Sequence, residues 1–221
     1  MNNLDFSTLI PFLPLLPDAL LITLKIGVLG FFLALLIAIV IGCLRSTHMP
    51  KLPSFLLGAY VELFRGTPLL VQLFIVYYGL PSLGIKLGPF QAAVLTMGLN
   101  SGAYLSENVR AGILAVEKGQ YEAASVLGYN YIQTMFYIVL PQALRIAVPS
   151  FMNGFSSIIK ETSIVSVLPL IELTKLGNQI YARTYHPFEI YISLGIIYFL
   201  LTYFFTLLAK LIEKRMAEWL T

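Results

Sequence analysis

The side chains of this 221-residue chain that could do chemistry are few, and most stand inside apolar sequence. Lys160-Glu161-Thr162-Ser163 follows Asn153, Ser156 and Ser157 in one such stretch. Asn100, Tyr104 and Asn108 recur at i, i+4 and i+8, so a helix sets them on one face, with Ser101 and Glu107 nearby. Thr67 and Gln72 add two more hydrogen-bonding groups. An ionisable residue inside a membrane span is a functional candidate by default, because burial costs several kcal/mol unless the group is paired or wet. Glu161 is the best candidate for holding a cationic group of a polar solute; an ion pair within the bundle is the competing role. Successive helical residues point about 100° apart, so Lys160 and Glu161 cannot both face one path squarely. The stripe of Asn100, Tyr104 and Asn108 could line a path or bond neighbouring helices. The candidate substrate-binding residues are Glu161, Asn100, Tyr104, Thr67, Gln72 and Lys160.

Bond-making chemistry finds little support. Both aspartates, Asp5 and Asp18, lie near the start, and His48 and His186 are far apart. No HExxH, CxxC or GxSxG occurs, and Cys43 stands alone in an apolar run. No GxxxxGK[ST] is present to cradle phosphates. No metal site is expected.

The elements that must carry these residues follow from composition. Hydrophobic residues make up 58% of the chain and charged residues 11%, where a soluble domain carries about 25% charged. A bilayer core needs about 20 mostly apolar helical residues. The sequence predicts an all-α integral membrane protein of one domain, residues 1–221, with five spans near 19–44, 52–79, 90–113, 147–167 and 188–209. The first residues lack the basic start of a cleaved signal peptide, so they read as mature sequence. With the N-terminus outside, the inner side receives nine basic residues: Arg45, Lys51, Arg65, Arg110, Lys118, Arg145, Lys210, Lys214 and Arg215. Lys86, Lys175 and Arg183 fall outside, while Lys25 and Lys160 stay within spans. That imbalance predicts N-out, C-in. The net charge of +3 is small and no basic run suits nucleic acid. Gly98, Gly102 and Ala103 are small enough for close helix packing. An outer stretch, LIELTKLGNQIY, reads as a short amphipathic helix on the outer surface.

The inner segment, residues 114–145, reads as two short helices at an angle. Tyr121 to Leu127 forms one, ended by Gly128 as a left-handed cap, and Asn130 to Leu140 forms the next, with Pro141 restraining the chain beyond. Glu122-Ala123-Ala124, then Gly128, then Ile138-x-Leu140-Pro141 resembles, at every anchor, the EAA loop of ATP-binding-cassette (ABC) importer permeases of type I. The resemblance implies that Glu122, Ala123, Ala124 and Gly128 dock on a separate ATPase subunit, and that ATP and Mg belong to that partner, with no cofactor on this chain.

Val61-Glu62-Leu63-Phe64-Arg65-Gly66-Thr67-Pro68-Leu69-Leu70-Val71-Gln72 resembles the permeases of the polar amino acid class, which handle histidine, glutamine, glutamate, arginine and opines. Pro68 should break the second span, and Glu62 and Arg65, three apart, can pair on one face. Together the resemblances imply a permease for polar amino acids, tilted by Glu161 toward basic ones, in a bacterial inner membrane. Its partners would be the ATPase, a second permease subunit (this chain or a similar one), an external amino-acid-binding protein and lipid. A membrane-embedded enzyme or a passive channel are the alternatives from other classes.

Overall fold

The computed structural model describes residues 4–47 and 49–218, with side chains described to residue 211. His48 lies outside the described residues, and only the backbone of Lys214 and Arg215 is described. All elements among the described residues are helical. A 3-10 segment, Phe6–Leu15, leads into α1, Leu16–Arg45. Then follow α2, Lys51–Gly66, and α3, Leu69–Phe74, which runs on through a π turn (Ile75–Gly79) and a 3-10 turn (Leu80–Leu83). Next come α4, Pro89–Leu114, and α5, Lys118–Val126. A short α6, Tyr131–Thr134, passes through a π turn (Met135–Val139) into α7, Leu140–Glu161, which closes with a 3-10 stretch, Thr162–Val167. Finally there are α8, Leu173–Thr184, and α9, Pro187–Glu218.

The pairing of α1 with α4 is the largest helix contact. On α1, Gly30, Ala34, Ala38 and Gly42 recur every fourth residue and are buried. Their smallness lets the helices close: a Cβ on Gly42 would lie 2.6 Å from Cβ of Val109 and 2.8 Å from the carbonyl of Ser106. Gly98 and Gly102 on α4 receive Leu33 and Ile37 in the same way, as their size predicts. The opposite face of α1 exposes Leu29, Phe32, Leu36 and Val40 at helical spacing, as a lipid-facing stripe does. At one end of the bundle Glu107 of α4 ion-pairs with both Arg45 of α1 and Arg110, the latter at 3.0 Å. One carboxylate thereby ties the two helix ends, and Arg45 also complements the negative C-terminus of α1.

Among the described residues, three helical runs are long and apolar enough to cross a membrane: Phe6–Arg45, Tyr131–Val167 and Pro187–Leu211. A fourth, Lys51–Gly66 with Leu69–Leu83, is bent by 109°. The expected second span is therefore two helices at a sharp angle. Helix α4 is long enough, but Asn100, Ser101, Ser106, Glu107, Asn108 and Arg110 make it too polar to qualify on apolarity. Fourteen of its residues, Asn100, Ser101 and Ser106 among them, are buried between α1, α7 and α2, while Glu107, Asn108 and Arg110 are half-buried.

Two expected boundaries move. Pro141 does not halt the helix that starts at Tyr131. The π turn ahead of it loosens the i−4 spacing where proline has no amide to give, and α7 continues from Leu140 to Glu161. The amphipathic stretch does form a helix, α8, but it packs inward. Leu173, Leu176 and Ile180 are buried in a cluster with Ala19 and Ile190. Its N-cap Glu172 is fully buried and accepts the amides of Thr174 (2.9 Å) and Lys175 (2.6 Å) and the hydroxyl of Tyr198 (3.1 Å), which fastens α8 to α9.

Candidate functional site

Pro68 creates the site by what it lacks. With no amide it cannot bond the carbonyl of Phe64, and Thr67 and Pro68 both turn extended, so the last carbonyls of α2 lose their helical partners. Side chains replace them. Gln72 Nε2 donates to the Phe64 carbonyl at 2.8 Å, and Asn100 Nδ2 donates to the same oxygen at 3.0 Å. Asn100 also donates to Gln72 Oε1 at 3.0 Å, so the two amides are locked together. Thr67 Oγ1 donates to the Leu63 carbonyl at 2.7 Å, and the Tyr104 hydroxyl donates to the Arg65 carbonyl at 3.2 Å. A break of this kind persists inside a membrane only when its freed groups are met.

Beside the break lies a cavity of about 510 Å³ between the Thr67–Leu69 corner, α4 and α7. Thr67, Asn100 and Tyr104 line it, as do Ser101 and Asn108. From α7 come Ser150, Asn153, Ser157 and Glu161. Of the six expected substrate-binding residues, four thus meet at one space. Gln72 is buried behind the wall and reaches it only through Thr67 and Asn100. Lys160 is exposed and not among the lining residues, as the 100° step between neighbours requires. Ser150 escaped the sequence reading, yet Ser150, Asn153, Ser157 and Glu161 recur at helical spacing, and that signal would have found it.

Within the cavity the lining side chains divide by occupation. Those of Asn100, Tyr104 and Thr67 are engaged at the break. Among the described residues, no hydrogen bond or ion pair holds Glu161, Asn108, Asn153 or Ser157. The expected Glu62–Arg65 pair is not formed: the Arg65 guanidinium lies over the Tyr104 ring, 5.4 Å from its centroid. Swinging back beside Glu62 would give up that stacking, while the Tyr104 bond to the Arg65 carbonyl holds the backbone either way.

A second candidate surface is α5. Gly128 has φ 79°, the left-handed cap expected of it. Its amide bonds the Ser125 carbonyl and that of Tyr129 bonds Ala124, which closes the helix end. Glu122 and Ala123 are exposed, as are Val126 and Leu127, whereas Ala124 is fully buried. Tyr121 packs against the main core cluster, and Gln142 Nε2 donates to Gln120 Oε1 at 3.3 Å. The segment is therefore fastened to α7.

The family described as binding-protein-dependent transport system inner membrane component matches residues 30–218. This chain belongs to that family. Such an inner membrane component is a transport subunit. It is 42% identical to the arginine transport system permease protein ArtQ of Bacillus subtilis, over 97% of this chain and 98% of that protein. It is 35% identical to the glutamine transport system permease protein GlnP of Escherichia coli, over 96% and 97%. Among solved structures it resembles an amino acid ABC transporter with histidines, at 38% identity and a TM-score of 0.88, covering 97% of this chain and all of that one. It also shares the fold of the MetNI methionine ABC transporter, at 19% identity and a TM-score of 0.80 over 93% of this chain and 97% of that one. Together these place the inner membrane component among the type I ABC importer permeases, as the EAA-like segment implied.

Proposed function

We propose that this chain carries polar amino acids, with a tilt toward basic ones, through the cavity beside the break. The observation that carries the reading is Glu161: among the described residues, the one uncommitted carboxylate on the wall of a space whose other polar lining groups are amides and hydroxyls. An amino acid always brings an ammonium, and a basic one brings a second cationic group. Relatives named for arginine and glutamine support the class of cargo. In this reading Asn108, Asn153 and Ser157 meet the cargo with Glu161, while Thr67, Asn100 and Tyr104 form the wall and Gln72 braces it. Helix α4 serves as the third of five spans, shielded by its neighbours.

The rest of the machine follows from the same reading. The chain stands in a bacterial inner membrane, N-terminus outside and C-terminus inside. The exposed face of α5, with Glu122, Ala123 and the Gly128 corner, docks on a separate ATPase that holds ATP and Mg. A second permease subunit completes the path, and an external binding protein delivers the cargo.

The test is Glu161→Gln in the assembled complex. Uptake should fall at least about tenfold while assembly and basal ATP hydrolysis persist, because a neutral amide cannot pair with an ammonium. Unchanged uptake kinetics would remove Glu161 from the site. Flux that proceeds without ATP would support a channel instead.

A further inference from the structure

The cavity wall supplies an anion but no cation. Among the described residues, Glu161 is its one carboxylate, and no Lys, Arg or His lines it. An amino acid also carries an α-carboxylate, which needs a donor of positive charge. Arg65 is placed to be that donor. Its guanidinium lies over the ring of Tyr104, itself a wall residue, and the Tyr104 hydroxyl holds the Arg65 backbone. Tyr104 stands six residues from Arg110 along α4, about 9 Å deeper in the bundle. Arg110 and Arg45 share Glu107, whereas no acidic side chain lies within ion-pair distance of Arg65 among the described residues. A cation at that depth is stable only where it faces water or an anion.

We propose that Arg65 binds the cargo's α-carboxylate, opposite in charge to Glu161, so that break and α7 together hold a zwitterion by its two ends. This rests on the amino-acid cargo proposed above. The planar guanidinium matches a carboxylate with two parallel hydrogen bonds, which a lysine ammonium cannot reproduce. The Tyr104 ring keeps the guanidinium at the wall while the site is empty, and its modest hold yields to a charged ligand.

The experiment is equilibrium binding to the purified permease–ATPase complex in nanodiscs, without the binding protein. The probes are L-arginine and L-glutamine, each beside its decarboxylated counterpart, agmatine and 4-aminobutanamide. The wild-type complex should prefer at least one amino acid over its decarboxylated form by about tenfold. Arg65→Gln should abolish that preference by weakening the amino acid alone, and Arg65→Lys should retain part of it. Equal weakening of both members of a pair, or an unchanged preference, would overturn the role of Arg65 while leaving the cargo reading intact. A wild-type complex that binds neither amino acid would overturn the cargo reading itself, and Arg65 with it. Size-exclusion profiles of both variants show that assembly survives.

Discussion

Gln72 Nε2 and the carbonyl of Phe64 meet at 2.8 Å across the corner that Pro68 makes. The bond returns to Phe64 what proline withholds. Because Asn100 donates to the same oxygen and to Gln72, three helices' worth of geometry converge on one carbonyl. Gln72→Met keeps the volume and removes the donor. It should destabilise the complex by about 1–3 kcal/mol, the range for stranding a buried polar partner, read as a lower Tm in detergent. Asn100→Leu should do the same. The double variant should lose less than the sum, since both act on one acceptor; strict additivity would deny the shared role.

Glu122 is exposed on α5 and makes no ion pair among the described residues, so its charge is available to a partner. Glu122→Arg should cut co-purification of the ATPase and transport-coupled ATP hydrolysis by about tenfold or more, as reversing a charge at an interface does. The Tm of the permease alone should hardly move. Intact coupling in this variant would take the docking surface elsewhere.

Gly42 admits Val109 to a distance no side chain would allow. Gly42→Val should force α1 from α4 and lower stability by about 1–3 kcal/mol or more, since the backbone of Ser106 also stands in the way. Gly58→Ala, inside α2 where nothing lies within 4 Å, is the control and should not lower Tm.

What could be read from sequence was whatever is encoded locally. Gly128 announced its left-handed cap, the four-residue period of Asn100, Tyr104 and Asn108 announced a shared face, and Pro68 announced a break. The size of the bend did not show. It depends on Asn100 reaching Phe64 across 36 residues of chain, and no local pattern encodes that meeting. Arg65 misled for the same reason: its neighbour at three residues is acidic, but its companion in space is Tyr104. At Pro141 the rule that proline ends a helix gave way to a π turn, a local option that residue types do not advertise. Residues 90–113 read as a mostly apolar span, and they do form one helix, α4, but its polar groups keep it from being apolar enough to qualify.

That polar surface bears on how the chain is made. A translocating ribosome would offer α4 to lipid alone, and lipid would refuse Asn100, Glu107, Asn108 and Arg110 together. Helix α1, synthesised earlier, already presents the seam of Gly30, Ala34, Ala38 and Gly42 and the guanidinium of Arg45 that pairs with Glu107. In a microsomal integration assay, residues 89–114 by themselves should stay outside the bilayer, and residues 4–114 should carry them in. The order of the helices along the chain is then part of the assembly route: the most apolar element enters first and chaperones the one that the membrane would not accept unaided.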